Sequence, residues 1–114
     1  MTILVVEDEP HVLSLIDRLL TIQGHLVIGA HDPDDATFML TEHKATPDLL
    51  LTDIILAADS GIDYAKRMKA MYPSLKVVFM TGWPHREPSA LRSNLGPVLR
   101  KPFKAEELYA IISR

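Results

Sequence analysis

Four features of the chain have side chains suited to chemistry: the acidic pair Glu7-Asp8, the carboxylate of Asp53, the hydroxyl of Thr81, and Lys101 followed by Pro102. Each follows or closes a short apolar run. Brought together, three carboxylates repel one another and raise each other's pKa unless a cation compensates; a hard divalent ion with oxygen ligands does so, and magnesium (Mg2+) is expected. Asp8 and Asp53 would bind it directly, Glu7 through water, and a backbone carbonyl near Ile55 would add a further oxygen, leaving a position open for phosphate. A carboxylate can attack phosphorus to form an aspartyl phosphate, and Asp53 is the expected nucleophile. Lys101 would then neutralise phosphate charge and Thr81 would hydrogen-bond a phosphate oxygen, with a cis Lys101–Pro102 bond expected to hold the lysine.

Whether these groups meet depends on the elements that carry them. Runs rich in β-branched and other apolar residues at 3–6, 26–30, 48–52, 76–81 and 97–100 read as five strands. They are continuously apolar rather than alternating, so both faces of the sheet should be covered, as in a parallel sheet between helical layers. A first helix opens at Pro10, repeats Val12, Leu13, Ile16, Leu19 and Leu20 at helical spacing, and ends at Gly24. Asp32-Pro33 is an N-cap and first-turn signature, and Ala36, Met39, Leu40 and His43 continue a second helix until Pro47. A third spans residues 61–72 and is closed by Pro73, and a last one follows Pro102 with Leu108, Ile111 and Ile112 on its apolar face. Pro84 and Pro88 break residues 82–96 into a loop with a short helix at 89–94. The order β-α-β-α-β-α-β-(short α)-β-α with right-handed crossovers makes one doubly wound α/β sheet of five parallel strands. Ligands bind such sheets outside the carboxyl ends of the strands, where Glu7, Asp8, Asp53, Thr81 and Lys101 would converge.

Composition narrows the function classes. With 114 residues, 47% hydrophobic and 24% charged, the chain reads as one globular domain over residues 1–114. A net charge of −3 gives no global attraction to nucleic acid or anionic lipid, although a local basic patch is compatible with it. The absence of cysteine excludes disulfides, thiolate metal sites and cysteine nucleophiles. Acidic residues follow the N-terminal strand at once, the reverse of a secretory signal, and no apolar run reaches membrane-spanning length, so a cytoplasmic location is expected.

The segments VVEDEP, LLLTDI followed by Gly61, FMTGW and LRKPF resemble, in order and spacing, the landmarks of response-regulator receiver domains, over essentially the whole chain. The resemblance implies a flavodoxin-like receiver fold, magnesium served by Glu7 and Asp8, and phosphorylation of Asp53 by a histidine kinase or histidine phosphotransfer protein. Thr81 matches the family's hydroxyl residue and Lys101 its lysine. It also implies an unknown downstream protein, or dimerisation through the surface from the fourth helix to the last. Three departures stand out: Ala57 replaces a usual proline, Val98 a usual aromatic, and the fourth helix is short. Without that aromatic, the Gly82-Trp83-Pro84 loop beside Thr81 is the expected two-state element. The chain ends at Arg114 after the last helix, so it reads as a stand-alone receiver or one excised from a longer protein.

Blander readings compete with these. Glu7 and Asp8 could cap the first helix, Asp53 could form a turn, and Lys101 could be a solvated charge. His11, His25, His31, His43 and His85 lack metal-ligand spacing and an evident partner carboxylate at a shared strand end, and read as packing or surface residues. Met39, Met68, Met71 and Met80 read as core filler, and Trp83 as a partly exposed contact residue. A nucleotide-binding doubly wound domain would need a glycine-rich turn where Glu-Asp-Glu-Pro stands, and an aspartyl-phosphate phosphatase would want an acid where Ile55 stands. A degenerate receiver acting as a phosphorylation-independent binding module is the remaining rival.

Overall fold

Five parallel strands form the sheet in the order β2-β1-β3-β6-β7, the doubly wound order whose switch point lies beside β1 and β3. The computed structural model describes residues 1–56, 59–82 and 94–114. The strands are β1 (Thr2–Val6), β2 (Leu26–Ala30), β3 (Leu49–Asp53), β6 (Lys76–Thr81) and β7 (Val98–Arg100). A two-stranded antiparallel hairpin, β4 (Ile55–Leu56) with β5 (Asp59–Ser60), lies between β3 and the next helix. The helices are α1 (Pro10–Ile22), α2 (Pro33–His43), α3 (Gly61–Met71) and α4 (Ala105–Ile112).

Alternation along the strands feeds two cores. Ile3 and Val5, Leu49 and Leu51, and Val78 and Met80 face α1 and α4, where Ile16, Leu20, Leu108 and Ile112 meet them. Leu4, Val6, Leu50, Val77 and Phe79 face α2 and α3, against Ala36, Leu40, Ala65 and Met68. Every residue of β3 is buried, as a central strand covered on both faces requires.

The helix ends follow local chemistry. Asp32 accepts a hydrogen bond from the Asp35 N–H (2.7 Å), and Ser60 accepts one from the Asp63 N–H (3.3 Å), each capping its helix. Gly24 (φ 90°) follows α1 in a left-handed conformation that suits glycine.

Several expectations shift. The second helix ends at His43 with Lys44 left-handed (φ 50°), before Pro47 is reached, because the Lys44 and Ala45 N–H groups turn back onto Thr41 and Leu40. The third strand runs one residue later than expected, so that it includes Asp53, and the third helix stops at Met71. The antiparallel pairing of β4 with β5 adds to the expected elements. Met71 is 61% exposed and is not core filler, whereas Met68 and Met80 are buried. His31 is a surface residue as expected, with Nδ1 2.9 Å from Asp35 and Nε2 3.2 Å from Asp32 at the start of α2. Residues 89–93 of the short helix expected at 89–94, with Trp83, His85 and Ala57, lie outside the described residues.

Candidate functional site

Strand pairing delivers the sequence-selected residues to one edge. Glu7 directly follows β1 and prolongs its pairing with β2 by donating its N–H to the Ala30 carbonyl (3.0 Å). Asp53 closes β3 opposite Met80, and Thr81 closes β6 opposite Arg100. Lys101 follows β7, its N–H donates to the Thr81 carbonyl (2.8 Å), and its bond to Pro102 is cis as expected.

Glu7, Asp8, Asp53, Ile55, Thr81 and Lys101 line a single cavity of about 180 Å³, joined by Glu9, Met80 and Gly82. The Lys101 ammonium sits between two carboxylates, 2.7 Å from Asp53 Oδ1 and in contact with Glu7 Oε1. The other Glu7 oxygen accepts the Glu9 N–H (3.0 Å), so the turn into α1 orients Glu7 rather than Glu7 capping that helix through its own side chain. Glu7 is wholly buried, while Asp8, the next residue, is exposed. Lys101 is therefore an ion-pair partner and not a freely solvated charge.

Two carboxylates share one ammonium, and their electrostatics divide accordingly. Burial pushes the Asp53 carboxyl up to about 8, reinforced by its hydrogen bond with Glu7, and Lys101 only partly offsets this. Burial also raises Glu7, but hydrogen bonds with Asp53, Lys101 and the Glu9 N–H outweigh it and hold Glu7 below its ordinary value. Burial and the neighbouring Glu7 raise Asp8. Burial opposes the charge on Lys101, yet its contacts with Asp53 and Glu7 hold its pKa above the usual lysine value. In the absence of further cations, and below about pH 8, the pair favours a proton on Asp53 over one on Glu7.

A second cation at this edge would relieve that excess of acid. One oxygen from each of Glu7, Asp8 and Asp53 lies within 4.8 Å of the others, a spacing and an all-oxygen donor set that fit a hard divalent ion.

Sequence reasoning named Gly61 only as a landmark, but it shapes the site. A Cβ there would lie 1.7 Å from the Asp53 carbonyl oxygen, so only a glycine lets the start of α3 pass so close to β3. Thr52, fully buried, donates its hydroxyl to the same carbonyl (3.0 Å). The glycine after a capping serine was the one legible signal; nothing in the sequence marked Thr52.

The sequence matches the family model described as the response regulator receiver domain over residues 3–113. The chain belongs to that family. As a receiver it is a domain of two-component signalling, and receivers bind magnesium at an acidic pocket and interact with histidine kinases or phosphotransfer proteins. It is 30% identical to the phyllosphere-induced regulator PhyR of Methylorubrum extorquens, covering 98% of this chain and 42% of that protein. It is 35% identical to the transcriptional regulatory protein DltR of Streptococcus agalactiae, covering 98% of this chain and 50% of that one. The receiver thus spans about half the length of these curated relatives. Among solved structures it is similar to the receiver domain of NtrX from Brucella abortus, with a TM-score of 0.86, 32% identity and coverage of 98% and 95% of the two chains. A receiver domain protein from Clostridium thermocellum aligns with a TM-score of 0.85 at 30% identity, covering 98% and 90%. The flavodoxin-like receiver fold follows from the strand order and these likenesses. Among the described residues, no helix is long and apolar enough to cross a membrane.

Proposed function

We propose that this receiver, occupying residues 1–114 as a single domain, is a phosphoacceptor switch in a two-component or phosphorelay pathway. The observation that carries the reading is Lys101, held between Asp53 and Glu7 in a cavity otherwise rich in carboxylates. The ammonium that pairs with Asp53 is placed to pair instead with a phosphoryl group attached to Asp53.

In this reading Asp8 and Asp53 would hold magnesium directly, with Glu7 helping through water and a backbone carbonyl near Ile55 adding a further oxygen. Bound magnesium supplies charge neutralisation for the phosphoryl oxygens. An Asp53 carboxylate oxygen attacks the phosphorus of a phosphohistidine on a histidine kinase or phosphotransfer protein. The new O–P bond forms as the N–P bond breaks, and the imidazole departs with its electron pair and takes up a proton. Thr81 donates its hydroxyl to a phosphoryl oxygen, and Lys101 neutralises another. Water later attacks the same phosphorus and regenerates the Asp53 carboxylate, so the protein resets slowly and is not a turnover enzyme. A cytoplasmic location, a downstream protein partner and docking or dimerisation on the side of β7 and α4 belong to the same reading.

Val98 stands where an aromatic would relay the switch, and it packs beside the α2 and α3 core. The output must therefore run through other residues around Thr81.

The test is intact mass after incubation with acetyl phosphate and magnesium, alongside Asp53→Asn and a metal-free control. A metal-dependent gain of one phosphoryl group, lost in the variant, supports the switch. No gain by the folded protein would replace it with a phosphorylation-independent binding module.

A further inference from the structure

The opposite edge of the sheet carries a second feature that phosphorylation does not use. Two cavities, of about 580 and 300 Å³, lie at the amino ends of the strands and adjoin at Ser74, Leu75 and Lys76, which line both; together they make the groove of the base. Its floor is apolar, and Met71 and Met1 stand 61% and 41% exposed along it. Exposed apolar surface gathered in a groove is characteristic of an interaction site.

The charge around the groove is one-sided. Lys69, Lys76 and Arg114 line the smaller cavity, and among the described residues no side-chain carboxylate lines it. Lys69 is half-buried and donates to the Leu75 carbonyl (2.5 Å), and Lys76 donates to the main-chain oxygen of Arg114 (3.1 Å). Among the described residues, none of the three has a carboxylate side chain within ion-pairing distance. The one carboxylate in the larger cavity, Asp48, already accepts the Thr2 N–H (2.7 Å). On a chain of net charge −3, three cations with no carboxylate side chain paired to them among the described residues, beside an apolar floor, are a local exception.

We propose that this basal groove docks an acidic, apolar segment of a partner protein, whose carboxylates pair with Lys69, Lys76 and Arg114 while an apolar side chain enters beside Met71. Charge complementarity selects an acidic segment, and the apolar floor favours a peptide over a nucleic acid, whose phosphates could meet the cations but whose backbone has no apolar group to bury beside Met71. Because the groove lies at the strand ends remote from Asp53, docking and phosphorylation can occur together.

The experiment uses a labelled synthetic peptide with one leucine flanked on each side by two glutamates, titrated with the full chain and followed by fluorescence anisotropy. Binding should weaken as salt rises, and should fall about tenfold or more in Lys76→Glu/Arg114→Glu. Arg114→Glu alone, at the exposed chain end, should fall in the same direction, and circular dichroism should show both variants folded. A peptide with lysines in place of the glutamates should not bind. Absence of binding by the parent protein, equal binding by the folded variants, or equally tight binding of a polythymidine oligonucleotide would each overturn the proposal. So would sedimentation showing that the groove is covered by a second copy of the chain at the concentrations used.

Discussion

Gly61 lies against Asp53 so closely that a single methyl group on Gly61 would fall 1.7 Å from the Asp53 carbonyl oxygen. The Gly61 N–H simultaneously donates to the Ile54 carbonyl (2.9 Å), which fixes the start of α3 over the end of β3. The backbone that presents the Asp53 carboxylate is therefore clamped by a residue eight positions later in the chain.

Gly61→Ala should force these two backbone segments apart. Overpacking of this kind costs about 1–3 kcal/mol, which urea unfolding would measure. Phosphorylation by acetyl phosphate should slow as well, because Asp53 moves with its strand end. Unchanged stability would mean that the paired strands β4 and β5 absorb the displacement.

Lys101→Ala removes the ammonium that Glu7 and Asp53 share. Glu7 is then a buried carboxylate without a cation, and the metal-free protein should lose about 1–3 kcal/mol, less than for a fully buried pair because Lys101 is partly exposed. The loss should shrink in millimolar magnesium, and thermal melts with and without the ion would show it. Equal losses in both conditions would separate Lys101 from the acidic cluster.

Asp53→Asn relieves the same crowding from the acid side, leaving Lys101 paired with Glu7 alone. The metal-free variant should gain about 1 kcal/mol, or a melting point higher by about 4–8 °C for a domain near this size. Magnesium should then raise its melting point less than it raises the parent's. A variant less stable than the parent without metal would show that the Asp53–Lys101 pair outweighs the repulsion.

The raised Asp53 pKa carries a sign. The folded carboxyl titrates near 8 and the unfolded one near 3.8, so the folded state binds the extra proton between those values. The stability this contributes to the metal-free protein is present below about pH 4 and is lost as pH rises towards 8. Glu7 works oppositely, but only near and below its ordinary value of 4.5, and His25, held below its ordinary 6.5 by burial and the N-terminal ammonium, has lost its proton above that value, so measurements from pH 7 to 8.5 report mainly on Asp53. A divalent ion displaces the proton, so the melting-point increment from magnesium should grow over this range. An increment independent of pH would contradict a protonated Asp53.

The sequence by itself determined which residues could meet. Continuous apolar runs specify buried parallel strands, each chemically pointed residue closes or follows one of them, and parallel pairing sends all such ends to the same edge. Glu7, Asp8, Asp53, Thr81 and Lys101 were legible for that reason, as were the proline that opens α1 and the aspartate that caps α2. Tertiary structure decided how they divide the work. Glu7 and Asp8 are chemically alike and adjacent, yet one is sealed under Lys101 and held by the Glu9 N–H while the other faces solvent. That distinction, the clamp of Gly61 on Asp53 and the cationic groove at the base all depend on contacts between residues far apart in the chain. Local patterns fix where a strand ends and which face is apolar; the side chain that crosses to meet a given oxygen is set by packing across elements, which no single run of sequence encodes.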